Sequence, residues 1–156
     1  MEILSKEKLV AFSGEHLYYE ISMLYGVTDI LLKGVENEYI SNALLEAFII
    51  HASIIIDFFY RPQVYPGDAR AFHYIQDMNK WRESLPSYGR YFKVFHHRRN
   101  KEVVHLSYNR LEVKPEEKRW QARKIIKQIR KLVDLFLEQA DPQFLHPKIY
   151  EMRTAK

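Results

Sequence analysis

EYISNALLEAFIIHASIIIDFFY, residues 38–60, is the stretch that decides the fold. It holds no Gly and no Pro, and at about 100° per residue its apolar side chains cover nearly the whole circumference of a helix. One narrow stripe is polar: Asn42, Glu46, Ser53, Asp57 and Tyr60. A helix greasy on most sides belongs in the middle of a domain, with other elements packed around it. Arg61-Pro62 ends it, because the residue before a proline is pushed out of helical geometry. Glu46, His51 and Asp57 within its most apolar part argue for a buried helix rather than a membrane span. An unpaired carboxylate is costly to bury, so Glu46 and Asp57 face either a solvent seam or a cleft. His51 lies off the stripe among apolar neighbours and reads as a hydrogen-bonded core histidine.

Working outward, a chain of 156 residues with 47% hydrophobic and 28% charged residues makes one globular domain with a sizeable core. Five Gly and six Pro leave few turns and long elements. The expected fold is all-α, a single-domain helical bundle of about five to six helices. Two long antiparallel helices and a long amphipathic closing helix would frame it. The first would run from about Ser13 to Leu32, with Ser13 as N-cap and Gly34 just past the end. After the turn-rich QVYPGD of residues 63–68, further helices are expected over about Ala69 to Ser84, Tyr88 to Arg98 and Lys101 to Arg110. The last begins after Pro115 and ends near Ala140. The core then spans about residues 13–140, and residues 141–156 form a Pro-interrupted, irregular tail.

The absence of cysteine excludes disulfides, thiolate metal sites and a cysteine nucleophile. His96 and His97 are adjacent and point about 100° apart on a helix, and no HExxH is present, so no metal is expected. There is no Gly-rich phosphate loop and no GxSxG, so no cofactor is expected either. MEILSKEKLVAF at the start lacks the basic-then-apolar pattern of a signal peptide, which makes a cytoplasmic protein the expectation, with no membrane partner.

The net charge of +4 hides an asymmetry. Residues 1–60 carry nine acids and three bases, whereas residues 61–156 carry eleven acids and 21 bases. No acid occurs between Ser84 and Lys101, or from Lys118 to Lys131, a run with seven bases. The closing helix divides by face: Ile125, Ile126, Ile129, Leu132, Val133 and Phe136 on one side; Arg119, Arg123, Lys124, Lys127, Arg130 and Lys131 on the other. The second set would offer closely spaced cations to a phosphate backbone, with no acids interleaved to pair them. Such blocks point to a polyanion or an acidic partner, or to a solvated helix face.

The densest chemical signal lies in the same half: RNKEVVH, from Arg99 to His105, inside HHRRNKEVVHLSYNR. Arginine is a permanent forked cation suited to phosphate, and histidine exchanges protons near neutral pH. On one straight helix the two would lie about 120° apart. A break at Asn100, which is a good N-cap, would resolve this by starting a new helix beside Arg99 and offering free N–H groups to an anion.

This arginine, a polar residue after it, and a histidine at Arg-x(4–6)-His spacing resemble the motif of HEPN-domain proteins. These are small all-α bacterial and archaeal domains, many of them ribonucleases of toxin–antitoxin and phage-defence systems. NKEVVHLSYNR, EAFIIHASIIIDFFYRP and the helix order carry the resemblance across about residues 13–140. Where such proteins would carry HAR, this chain reads His51-Ala52-Ser53, without the arginine of a second phosphate contact. The resemblance implies a metal-independent endoribonuclease. His105 would be general base or acid, Arg99 would stabilise the phosphorane, and Asn100 would orient the arginine or phosphate. The site would be completed across a homodimer. Arg98, Lys101, Arg119, Arg123, Lys127 and Arg130 would hold RNA or a nucleotide, and Glu46 and Asp57 would line the cleft. Two other readings fit the same residues: a nucleotide- or RNA-binding module that does not cut, and a helical interaction subunit whose basic face meets an acidic partner.

Overall fold

A computed structural model of the chain describes residues 4–61, 65, 67–104, 106, 108–114 and 119–154. Among them the fold is an all-α bundle of six helices: α1 (Lys6–Phe12), α2 (Tyr18–Lys33), α3 (Glu38–Tyr60), α4 (Met78–Ser84), α5 (Arg90–Arg99) and α6 (Ala122–Gln139). The Pro115 expected at the last helix start and the His105 of the motif lie outside the described residues.

The helical path starts earlier than Ser13. Ser5 caps α1 by accepting from the Lys8 N–H, and α1 runs into α2 through a π turn, Ser13–Leu17. Ser13 is buried instead of capping: its hydroxyl donates to the Val10 carbonyl and accepts from the His146 N–H. Gly14 stands in the same turn because a Cβ there would come within 2.6 Å of the His146 ring. Gly34, at φ 91°, closes α2 in the left-handed region that glycine tolerates. Asn37 then caps α3 through the Ile40 N–H. With so short a link, α2 and α3 form the long antiparallel pair.

α3 has the length and composition of a membrane-crossing helix, and it spends one side on the core. Phe48, Ile49, Ala52, Ile55 and Ile56 are buried, as are Ile125, Ile126, Ile129, Leu132, Val133 and Phe136 of α6. The Phe136 ring is met by Phe58, Phe59, Tyr74 and Trp81 at centroid distances of 5.4 to 6.4 Å. His51 is a core-edge histidine, its Nδ1 2.6 Å from the Glu20 carboxylate across the α2–α3 seam.

One long helix over about residues 69–84 is not what forms. A 3-10 turn, Ala71–Tyr74, is followed by Ile75, which pairs with Ala140 in an isolated bridge. Asp77 then caps the shorter α4 by accepting from the Asn79 and Lys80 N–H groups. Asp141 accepts from the Gln76 side chain and donates its N–H to the Tyr74 carbonyl. The segment after α6 is two more 3-10 turns, Pro142–Phe144 and Pro147–Met152, which bury Leu145 and Ile149.

Candidate functional site

The expected helix start at Asn100 is absent. Asn100 has helical dihedrals, and its N–H bonds back to the His96 and His97 carbonyls, so α5 runs on as a π turn, Asn100–Val104. Its N–H is therefore not free for an anion, and no helix begins beside Arg99. The Asn100 side chain turns on Arg99 itself: Oδ1 accepts from Nε at 3.1 Å and from Nη2 at 3.0 Å. Among the described residues after Val104, Tyr108–Glu112 is a 3-10 turn, where a fifth helix over Lys101 to Arg110 was expected.

Arg99 faces α3. Its Nη1 lies 3.9 Å from Asp57 Oδ2, and the other oxygen of that carboxylate lies 3.6 Å from His96 Nε2. His96 Nδ1 and the Tyr88 hydroxyl are 2.7 Å apart, and Tyr88 also donates to the Phe92 carbonyl. Phe92 and His96 are four residues apart on one side of α5, and Tyr88, two residues before the helix begins, lies against them. His96 Nε2 is enclosed and has no hydrogen-bond partner among the described residues. Burial pushes the His96 imidazole below its ordinary value; Asp57 pulls it back up, and Arg99 adds to the lowering. Burial likewise raises the Tyr88 phenol, with Asp57 adding to the rise. At neutral pH this leaves a neutral imidazole between a phenol within hydrogen-bond distance of Nδ1 and a carboxylate beyond hydrogen-bond range of Nε2. An enclosed Nε2 cannot touch a substrate, so His96 packs this cluster and does not react in it.

Asp57 is fixed from behind by Arg70, which is 4% exposed. Arg70 Nη1 donates to the Asp57 carbonyl at 2.6 Å, and Nη2 donates to Asp68 at 2.9 Å. Asp57 also borders a hollow of about 410 Å³ that His16, Glu20, Arg61 and Arg70 help to line. Glu46 is exposed eleven residues earlier on the same helix, about 16 Å away along its axis, and does not share this hollow.

Several of the expected phosphate-binding cations are already used within the chain. Arg98 donates from Nε and Nη2 to both Glu102 oxygens at 2.7 Å and from Nη1 to the Arg119 carbonyl, and its guanidinium lies 4.1 Å from the Trp120 ring centroid. Lys101 Nζ is 3.5 Å from Glu112. Arg130 reaches Asp29 at 3.5 Å and stacks over Tyr25 at 3.9 Å. Arg119, Arg123 and Lys127 are exposed.

Sequence reasoning missed Tyr88, His96 and Arg70 as parts of this cluster. The spacing of four from Phe92 to His96 was a usable signal for the His96 side of α5, but Tyr88 precedes the helix and left none. The role of Arg70 was not readable, because it depends on how the chain turns back after α3. Among the described residues, no three His, Asp or Glu side chains converge as a metal site would need. No family model, curated protein or solved structure matches the chain.

Proposed function

We propose that the chain binds RNA and cleaves it without a metal, in the manner of a HEPN-like endoribonuclease. The observation that carries this reading is the Arg99 guanidinium. It is held by Asn100 and faced by Asp57, inside RNKEVVH and at the end of an acid-free basic run. In the reaction the RNA 2′-oxygen attacks the adjacent phosphorus and gives its proton to His105. The P–O bond to the 5′-oxygen breaks, and that oxygen takes up a proton. The products are a 2′,3′-cyclic phosphate and a 5′-hydroxyl. Arg99 offsets the charge that builds on the phosphorane oxygens. With no helix start at Asn100, side chains rather than backbone N–H groups hold the phosphate.

A second copy of the chain completes the site in this reading. Ile40, Ala43, Ala47, Ile50 and Ile54 recur at intervals of three and four on α3, the spacing of a seam that can pair with itself. Three of these isoleucines stay 42 to 52% exposed. The test is cleavage of a single-stranded RNA in EDTA. Wild type should cut, and Arg99→Ala and His105→Ala should each lose about a hundredfold or more. Mixing the two variants should restore part of the activity if each site takes Arg99 from one chain and His105 from the other. A wild type that cuts no faster than both variants sinks the catalytic reading.

Binding without cleavage is the second reading. The Asp57 carboxylate, 3.9 Å from Arg99, competes with a phosphate for that cation, while the exposed Arg119, Arg123 and Lys127 can hold a phosphate backbone without Arg99. Under it, salt weakens RNA binding steeply and His105→Ala leaves affinity unchanged.

A further inference from the structure

About a quarter-turn around α5 from Arg99, between α5 and the start of α6, lies a groove of about 330 Å³. Its floor is Phe95 and Ile125, both buried. Its walls are Tyr91 and Val94, 42% and 49% exposed, and Trp120. Arg90, Lys124 and Gln121 also line it, and none of its lining residues among the described ones is acidic. The Trp120 ring and the Arg98 guanidinium form a stacked, planar pair, and both Glu102 oxygens fix the guanidinium in place. Lys124 Nζ stands 5.6 Å from the Tyr91 ring centroid, at the exposed side. The two cations at the mouth, Arg90 and Lys124, have no carboxylate against them in any ion pair among the described residues.

We infer that this groove is a nucleotide subsite. A nucleobase lies flat in the slot against Tyr91 and Trp120, over Phe95, and its phosphate meets Arg90 and Lys124. Each part has a physical reason. An aromatic wall and a locked guanidinium plane suit a planar ring, because bases stack on both kinds of surface. The volume is at the low end for a small-ligand pocket and has room for one nucleotide. The all-cationic mouth matches a phosphate, and the Gln121 amide offers both a donor and an acceptor to a base edge. An acidic peptide would use the same cations but leave the apolar floor unfilled. The inference rests on the nucleic-acid reading above and adds where a base is held. It does not depend on cleavage, since it uses none of Asp57, Arg99 or His105.

The chain carries its own reporter. It has two tryptophans: Trp120 in the groove and Trp81, 3% exposed, in the core. Adenosine monophosphate, inorganic phosphate and a deoxyribose decamer, which lacks the attacking 2′-hydroxyl, are titrated into the full-length chain. Tryptophan emission and the anisotropy of a labelled decamer are followed. Adenosine monophosphate and the decamer should change the emission. Trp120→Phe should remove that response while Trp81 still emits. Tyr91→Ala should weaken decamer binding by about tenfold or more, the usual loss of one stacked base. Its unchanged urea midpoint checks that it folds, and Lys124→Gln on the same groove gives a second variant, expected to weaken binding severalfold. A response to the decamer alone places the base within a strand; a response to both admits a free nucleotide as well. Phosphate binding as tightly as adenosine monophosphate, or Tyr91→Ala binding the decamer like wild type, overturns the subsite. Loss of cleavage in Arg99→Ala with decamer binding intact leaves it standing, so the two readings fail separately.

Discussion

The two sides of α5 solve opposite problems with neighbouring residues. On one, His96 and Arg99 turn toward α3 and close on Asp57, with Tyr88 from just before the helix against His96. On the other, Tyr91, Val94 and Arg98 turn toward α6 and leave an open groove. Arg98 and Arg99 are adjacent and chemically identical. Arg98 has a bidentate carboxylate, a carbonyl and an aromatic face, all within the chain. Arg99 has the side chain of its own neighbour and a carboxylate 3.9 Å away, outside hydrogen-bond range. One arginine builds a wall; the other keeps a looser geometry that can still turn to an anion. A row of cations in a sequence is therefore not a row of available cations.

The largest expected effect comes from the residue that both sides share. Phe95 is 1% exposed, packs against Phe48 and Trp120, and floors the groove. Phe95→Ala should lower the free energy of unfolding by about 3–5 kcal/mol, read as a drop in the urea midpoint. A loss below about 1 kcal/mol would mean that the two sides of α5 are not tied through one core. A smaller effect separates the arginines. Arg98→Lys keeps the charge but loses the fork that holds Glu102 and the plane that stacks on Trp120. It should cost about 1–2 kcal/mol, while Arg99→Lys should fall within about 0.5 kcal/mol, as for an ordinary surface change. Equal costs would erase the distinction drawn between them.

The same contrast explains what could be read in advance. α3 spans Glu38–Tyr60, where its unbroken apolar pattern and the Arg61-Pro62 stop place it, and all six apolar residues assigned to the inner face of α6 are buried. Long-range burial leaves a periodic trace of this kind in a sequence. Caps do not, because Ser, Asn and Asp make several local hydrogen bonds of similar energy. Ser13 has the right residue type for an N-cap but sits buried within a π turn, and Asn100 continues a helix that it was expected to start. Asp77 caps α4 inside a segment that propensity alone reads as one helix. The polar stripe of α3 put Asp57 beside candidates such as Glu46, and nothing in the stripe says which of them meets α5. That depends on where α5 packs against α3, and the Arg70 hold on the Asp57 carbonyl is likewise made only after the chain has turned back. The acid-free runs hide their partners because acids outside them reach in: Glu102 pairs with Arg98 one helical turn back, and Asp29 reaches Arg130 from α2.

The smallest effect is a pH dependence on the closed side of α5. Burial holds the folded His96 below its ordinary value of 6.5, with Asp57 opposing and Arg99 reinforcing the shift. In the window between the folded and unfolded values, the unfolded chain binds more protons, so stability rises with pH there. The contribution of His96 is complete above the unfolded value near 6.5 and is lost as the pH falls through the folded one. His73 is also lowered, by burial and then by Arg70, and adds a slope of the same sign. Comparing wild type with His96→Gln cancels that background. The variant should lose less stability than wild type between pH 7.5 and pH 5, read as a smaller drop in the urea midpoint. Asp57→Asn makes the sign harder to mistake. It removes the charge that pulls His96 up, so the imidazole should titrate at still lower pH, seen as a shifted midpoint of its ring protons in NMR. A His96 midpoint that rises in Asp57→Asn would mean that the carboxylate does not act on the imidazole, and the closed side of α5 would then be held by Tyr88 and packing alone.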